Sequence, residues 1–381
     1  ANSITNSTLT FLNKSGFDLR PITLDTDVIG NGVNLATDPY YSFNYDIKMD
    51  TRSTWDIGAF AHQDYSGLTE FDAYGSGTPS DPYQLFTKAQ VNDIGTDVID
   101  GCNSSTASAC ADSFVLSSNI DMESDPYTPI GDGVGTNVFT GNFDGNNATI
   151  SNLTVSLTGV NNVGFFRELC GATIKDLNIS GATLTNGVGD NYAGILAGGV
   201  HCGTKTYIEN INIINSSATG GGHLGGMIGW ADNTDITISS AEVDVTCAST
   251  YCGGLLGRYT GGGQLSNTYA LGDFSSNPGS GGLIGRVEGA TTSLSNCYAT
   301  GSSLTSDNGA NLGGLIGTLN DASIDNCYAM GDLYNNADEI GGLVGYMNGS
   351  ASISNSYATG DVLLAQDHGG GLIGWANTTG T

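Results

Sequence analysis

The chain has 381 residues, of which 58 are glycine and 7 are proline, and its 38 acidic residues outnumber 10 lysines and arginines. The resulting net charge of −28 makes nucleic acid an unsuitable partner, and no run of 18 apolar residues exists, so we predict neither nucleic-acid binding nor membrane insertion. The hydrophobic share of 39% excludes a wholly disordered acidic tail, and the glycine content favours a repetitive, turn-rich β architecture.

Residues 1–63 differ from the rest of the chain. The segment Ser53–Phe60 reads Ser-Thr-Trp-Asp-Ile-Gly-Ala-Phe, and Ala61 and His62 follow it. Apart from those two residues, the segment resembles the closing strand of a group of secreted bacterial parallel β-helix proteins. The resemblance implies that residues 1–63 are the terminal part of a β-helix or another β-rich domain, followed by a linker at 64–76 and a main domain at 77–381.

The main domain repeats a short glycine motif. Gly-Gly-Leu-Ile-Gly at 281–285 returns at 313–317 and 370–374, and related versions stand between and before these copies. A second motif, typified by Leu-Ser-Asn-Cys-Tyr-Ala at 294–299, recurs out of phase with the first. Both have a period of about 29 residues, which indicates stacked structural repeats. The glycine before the apolar pair stands at 164, 194, 226, 254, 282, 314, 342 and 371.

Each repeat contains alternating runs of about five residues separated by Gly, Asn and Asp, which is typical of strands. One coil cannot bury its apolar side alone, but coils stacked about 4.8 Å apart share a continuous core. We therefore predict an all-β fold, a right-handed parallel β-helix (β-solenoid) without a recognisable cap at either end. Four asparagines are expected to form a hydrogen-bonded inward or turn-capping ladder: Asn267, Asn296, Asn326 and Asn355.

These repeats resemble the GLUG repeat of bacterial and archaeal surface proteins. The likeness rests on Gly-Gly-Leu-Ile-Gly and on Ser-Asn-Ser-Tyr-Ala-Thr-Gly-Asp-Val at 354–362, and it extends upstream through segments 139–153 and 77–85. It implies an adhesin-like or scaffold role. The family brings no catalytic residues to transfer to this chain.

The eight cysteines form four close pairs with none left over, which favours an oxidising, extracellular location. Cys297 and Cys327 occupy the same repeat position in adjacent coils, where stacked strands bring Cα atoms within disulfide range. Buried thiols are the alternative. The predicted disulfides are Cys102–Cys110, Cys170–Cys202, Cys247–Cys252 and Cys297–Cys327.

No catalytic residue is predicted, and we expect the chain not to be an enzyme. Arg258 and Arg286 hold equivalent repeat positions, which suggests a solvated pair that balances nearby acids, and the acids at 121–125 are interpreted as a polar face or turn. The histidines at 62, 201, 223 and 368 lack metal spacing and are interpreted as ordinary surface or turn residues. Calcium is the one cofactor with candidate oxygen ligands. They are Asp25, Asp27, Asn31, Asp132 and Asp144.

The leading hypothesis is a secreted or cell-surface structural and adhesive protein, a subunit or segment of a fibre assembled head to tail. Uncapped ends favour self-association, because exposed strand edges pair readily. The alternative is a carbohydrate-binding module in which an outward tyrosine stripe and acidic turns bind a glycan on a neighbouring surface. A polysaccharide lyase or hydrolase ranks third. The stripe consists of Tyr269, Tyr298, Tyr328 and Tyr357.

Overall fold

The computed structural model describes residues 11–13, 18–21, 68–97, 101–102, 108–132, 137–187, 189, 191–275, 278–303, 310–336, 338–363 and 367–378. This part of the chain is nearly all β and forms a parallel β-solenoid of about nine coils. The predicted fold class is confirmed. The calcium candidates Asp25, Asp27 and Asn31 lie outside the described residues.

Two sheets make up most of the solenoid, and in both the strands pair in parallel with the equivalent strands of the next coil. The front sheet consists of Tyr83–Leu85, Ser113–Leu116, Ile120–Asp121, Asn142–Asp144, Thr149–Ser151, Thr154–Leu157, Thr173–Ser180, Thr183–Asn186, Thr206–Gly220, Thr234–Thr237, Ser240–Cys247, Gln264–Ser266, Tyr269–Ala270, Ser293–Ser295, Tyr298–Ala299, Ser323–Asp325, Tyr328–Ala329, Ser352–Ser354 and Tyr357–Ala358. The back sheet consists of Phe166–Glu168, Ala197–Val200, Ile228–Asp232, Leu256–Thr260, Ile284–Glu288, Ile316–Asn320, Val344–Gly349 and Ile373–Thr378.

Shorter elements connect these sheets or lie outside them. The small parallel sheets comprise Asn191–Ala193, Gly222–Gly225 and Cys252–Gly253; Leu312–Gly313, Glu339–Gly341 and His368–Gly370; and Leu333–Tyr334 with Val362–Leu363. Phe11–Asn13 and Asp18–Pro21 form a separate antiparallel pair. The helices are α1 (Lys88–Thr96) and a 3₁₀ turn at Ser108–Ala111.

The core lies between the front and back sheets and follows the alternation expected of strands. In Thr173–Ser180 the side chains of Ile174, Leu177 and Ile179 are fully buried, whereas Lys175 and Asn178 face outward. Equivalent repeat positions pair from coil to coil, as when Leu265 pairs with Leu294 and Leu294 with Ile324. An irregularity shifts the register between Ile213 and Ser216. Because parallel pairing keeps each side chain above its equivalent, one apolar core runs through the whole stack.

The glycine motif is explained by close packing. At Gly282 a Cβ atom would overlap the carbonyl oxygen of Gly314 in the next coil and lie 3.0 Å from the Cβ of Ala299 across the core. Gly254 faces Ala270 in the same way, with a corresponding distance of 2.8 Å. The repeated glycine and the repeated alanine are therefore two sides of one contact, and the two sequence motifs share a period because they pack together.

The first rung of the front sheet is covered, contrary to the expectation of an uncapped stack. Leu85 is fully buried although the described strands pair with its strand on only one side. Helix α1 follows directly, with Thr87 as its N-cap and with Val91 and Ile94 fully buried in the same core. The helix was missed because its apolar positions are few and its sequence contains an internal glycine, Gly95.

Residues 68–76, expected to be part of a linker, pack on the solenoid. Phe71 is 2% exposed and lies 5.5 Å from the ring of Tyr83 and 5.9 Å from that of Phe114. Its amide donates a hydrogen bond to Asp93 of α1. The cover of the first rung is thus built from α1 and from the segment before it.

We predict that Gly282→Ala lowers the free energy of unfolding by about 3 kcal/mol or more, because the added methyl overpacks backbone that cannot move aside. Gly371→Ala is the matched control, since it stands at the same motif position in the last described coil and a Cβ there would have no neighbour within 4 Å. Its effect should stay within about 0.5 kcal/mol. Urea denaturation followed by circular dichroism measures both values, and equal losses in the two variants would refute the packing explanation.

Candidate functional surfaces

The four tyrosines of the predicted stripe stack in register on the front sheet. Ring centroids are 4.7 Å apart from Tyr269 to Tyr298, 4.8 Å from there to Tyr328 and 5.2 Å from there to Tyr357, with planes within 6° of parallel. Burial, followed by the neighbouring phenols, raises the pKa of Tyr298. Stacking covers both faces of Tyr298 and Tyr328, so a sugar laid on a ring face finds room only at the outer faces of the end rings, Tyr269 and the 51% exposed Tyr357. This geometry favours packing between coils as the role of the stripe.

The asparagine ladder joins the turns beside this stripe. Asn296 donates to Asn267 at 3.1 Å and Asn326 donates to Asn296 at 2.6 Å, whereas Asn355 donates to Asp325 at 2.7 Å. All four asparagines have φ between 48° and 55°, a left-handed conformation that asparagine tolerates. They are exposed and therefore cap turns; none of them points inward.

Three of the four predicted cysteine pairs are disulfides. They are Cys102–Cys110, Cys170–Cys202 and Cys247–Cys252, with Cα separations of 4.7, 5.6 and 6.2 Å. The first lies beside α1, where the Cys102 amide also donates to the Ile94 carbonyl. Disulfides of this kind persist in oxidising compartments.

The predicted Cys297–Cys327 disulfide is absent, and both residues are buried thiols. The Cys297 amide donates to the Cys327 sulfur at 3.3 Å, while the Cys297 thiol lies 3.1 Å from the Ser295 carbonyl and 3.3 Å from the Thr268 hydroxyl. In-register stacking points both side chains the same way, whereas a disulfide requires Cβ atoms that approach one another. The equivalent repeat positions thus predicted correctly that Cys297 and Cys327 lie close together, and predicted wrongly that they form a disulfide.

Mapping of cysteines tests this arrangement. We expect alkylation of the native protein to label neither Cys297 nor Cys327, because both are buried, and alkylation in denaturant to label both. Non-reducing peptide maps should contain the other three pairs as disulfides. A peptide that joins Cys297 to Cys327 in freshly prepared protein would contradict the prediction.

The two calcium candidates within the described residues, Asp132 and Asp144, have separate hydrogen-bond partners. Asp144 lies 2.8 Å from the Lys175 ammonium and accepts the Asn146 amide, while Asp132 accepts the Asn137 amide at 3.4 Å. Within the described residues, no three His, Cys, Asp or Glu side chains come together as a metal-binding group. Calcium binding by the chain stays a prediction.

The acidic run at 121–125 anchors α1 to the next coil. Lys88 pairs with Glu123 and, at 2.8 Å, with Asp125, and hydrogen bonds to these carboxylates raise the pKa of Lys88 to about 12. Asp121 accepts from Asn152 at 2.9 Å, which lowers its pKa. These carboxylates bind side chains of the solenoid itself, which agrees with their interpretation as a polar turn.

Sequence reasoning missed a cluster on the outer side of the back sheet, here called the arginine–aromatic face. Register places Trp230 beside Arg258 and Arg258 beside Arg286, in one column of successive rungs. The small parallel sheet that precedes the back-sheet strands brings a second column of rings alongside, with centroids 5.0 to 5.1 Å apart. The face consists of Glu168, Tyr192, His201, His223, Trp230, Tyr251, Arg258, Arg286 and Glu288.

Its charges are paired with each other. The Arg258 guanidinium lies 4.8 Å from the Trp230 ring centroid and 2.6 Å from Glu288, whose other oxygen pairs with Arg286. Arg286 also stacks on Tyr251 at 5.0 Å. The expected solvated pair is therefore a partly buried, shared ion pair clamped on aromatic rings.

Two histidines that the sequence scatters meet at this face. The ring centroids of His201 and His223 lie 5.8 and 5.0 Å from that of Tyr192, and His201 pairs with the buried Glu168 at 2.9 Å. Burial, then Arg258 and Arg286, lower the pKa of His223 to about 4. Their spacing in the sequence does not indicate that both histidines contact Tyr192. Only the register of the coils could have predicted it.

We predict that His223 makes stability fall as the pH drops from about 6.5 to 4. The unfolded chain binds the proton near pH 6.5 and the folded chain only near 4, so acid favours unfolding within this window. Discounted for partial exposure, the loss is about 1–2 kcal/mol. Urea midpoints at pH 7 and pH 4 should differ less in His223→Phe than in the parent. His368→Gln is the control, since His368 is exposed, and an unchanged pH dependence in His223→Phe would refute the assignment.

No helix in the described segments is long and apolar enough to cross a membrane.

The repeats match a known motif. Residues 276–305 and 336–363 match the GLUG motif. The chain is 33% identical over 177 residues to halomucin of Haloquadratum walsbyi, an alignment that spans 42% of this chain and 2% of halomucin. The match therefore covers a small part of that relative's length.

A solved structure has a similar fold. The crystal structure of a putative immunoglobulin A1 protease from Bacteroides ovatus superposes with a TM-score of 0.51 at 20% identity, over 83% of this chain and 90% of that one. At this identity the likeness concerns the fold alone. The chain is thus a parallel β-solenoid that carries GLUG motifs, as its sequence indicated.

Proposed function

We propose that this chain is a rigid structural segment of an extracellular surface protein, where it separates or presents other parts and contributes to adhesion. The observation that carries the proposal is the in-register stack itself, in which equivalent strands pair from Tyr83–Leu85 to Ile373–Thr378. Such a stack resists bending because every coil is bonded to the next in several strands.

An extracellular location is supported by three disulfides, by the net charge of −28, and by the likeness to halomucin over 177 residues. A highly charged surface keeps a long repetitive protein soluble and prevents nonspecific association.

A role without catalysis is part of the proposal, and the pairing of charges supports it. Of the six basic side chains that the structure describes, five form ion pairs with carboxylates, and the sixth, Arg167, donates to the carbonyl oxygens of Asn161 and Asn162. Charges arranged this way satisfy one another within the chain.

Head-to-tail self-association stays a prediction, and the two ends of the described stack bear on it differently. Large apolar side chains of the last described coil are exposed, including Tyr357, Leu363 and Trp375 at 43 to 51%. Helix α1 covers the first rung, so direct strand pairing between copies would require α1 to move away. Sedimentation velocity over a range of concentrations would detect a growing assembly.

Removal of residues 254–313 tests the structural role. This deletion joins Gly253 to Gly314, restores the glycine motif at the junction, and removes two coils together with Arg258, Arg286 and Glu288. We expect a folded, cooperatively unfolding protein whose maximum dimension in small-angle scattering is shorter by about 10 Å. A variant that keeps its secondary structure but loses an enzymatic activity of the parent on polysaccharides would contradict the proposal, and so would an unchanged length.

A further inference from the structure

A cleft lined by both polar and apolar groups lies on the outer face of the front sheet, over its first rungs. Its volume is about 410 Å³, within the range of small-molecule sites, and it is lined among others by Pro79, Pro82, Asn142, Asp144, Asn146 and Lys175. We propose that this cleft binds a neutral oligosaccharide. The site is separate from the tyrosine stripe, and the proposal does not depend on the role of the solenoid as a spacer.

The register of three strands builds the floor of the cleft. Ser113 pairs with Asn142 and Asn142 with Thr173, which makes one column of small polar side chains. Asp144 pairs with Lys175 in the adjacent outward column. The turn closed by the Asp81 amide and the Thr78 carbonyl, at 3.0 Å, carries the two prolines that form the wall.

The floor offers both donors and acceptors in fixed positions, as sugar hydroxyl groups require. Asn142 donates from its side-chain nitrogen to Ser113 at 3.0 Å, an arrangement that orients its amide oxygen as an acceptor. Asp144 is held by Lys175 at 2.8 Å and by the Asn146 amide at 2.8 Å. Because these partners fix the side chains before a ligand arrives, binding costs little conformational entropy.

An aromatic ring lies one rung beyond the residues that line the cleft. Tyr207 pairs in register with Thr173 and is 51% exposed. In the part of the chain that the structure describes, no other aromatic ring stacks on Tyr207, in contrast to the inner tyrosines of the stripe. Its face is available to the apolar side of a sugar ring. From Ser113 to Tyr207 the column rises three rungs, about 14 Å, which is longer than one sugar ring.

Charge selects a neutral ligand. Lys175 is paired with Asp144. Lys205, which directly precedes the strand of Tyr207, is paired with Asp235 at 2.6 Å. The cleft therefore has no unpaired cation to receive a carboxylate or sulfate, and the net charge of −28 repels anionic chains. Uronic acid polymers and sulfated glycans are excluded as preferred ligands on this ground.

The test is an array of neutral and acidic oligosaccharides probed with the full chain, followed by calorimetry with the neutral hexasaccharide that binds best. Tyr207→Ala and Asn142→Ala should each weaken that binding at least tenfold. Tyr357→Ala is the matched control, because Tyr357 is also 51% exposed but lies on the tyrosine stripe; its affinity should stay within twofold of the parent.

Three results would overturn the proposal: no neutral oligosaccharide on the array binds, acidic ones bind better, or Tyr357→Ala weakens binding while Tyr207→Ala does not. Circular dichroism and urea midpoints of each variant establish that it is folded. If one variant is unfolded, the other still decides the question, since Tyr207 and Asn142 lie on different strands. Failure here would leave the deletion experiment on the structural role unaffected.

Discussion

The solenoid depends on one repeated contact, in which a glycine of one sheet packs against an alanine of the other. A Cβ atom at Gly254, Gly282, Gly314 or Gly342 would lie 2.8 to 3.1 Å from the methyl group of the alanine opposite, closer than ordinary side chains approach. None of these glycines has a positive φ, so they are required for space and not for an unusual backbone conformation. The thin core at this level brings Leu283, Ile284 and their equivalents into one continuous apolar column.

Outside this core, in-register stacking turns every repeated polar residue into a ladder. The carboxylate or hydroxyl group of one coil accepts the backbone amide of the next along Asp244, Asp273, Ser302, Asp332 and Asp361, at 2.8 to 3.1 Å. An acidic surface of this kind brings like charges near one another, and each hydrogen bond to an amide offsets part of that repulsion. The same register stacks tyrosine on tyrosine and arginine on arginine, and only the second pair requires a shared carboxylate.

What the sequence predicted and what it missed follow from the same periodicity. Positions that repeat every coil were predicted correctly, since parallel pairing places Tyr269 beside Tyr298 and Asn267 beside Asn296. Of the features that occur once, three cysteine pairs were predicted correctly, but the helix and the arginine–aromatic face were not. Helix α1 interrupts the repeat, and the meeting of His201 with Tyr192 depends on the path of turns with individual lengths. Cys297 and Cys327 show a third limit: the period gives the neighbour but not the direction in which two sulfur atoms point.

The glycine–alanine contact also affects how the gene for such a chain can gain or lose repeats during evolution. Gly282 and its partner Ala299 belong to the same coil, so one contiguous stretch of about thirty codons encodes both halves of the contact. A duplicated or lost stretch of that size carries its own complementary core and needs no compensating change elsewhere. Recombination that adds or removes one whole repeat therefore keeps the two halves of this contact together.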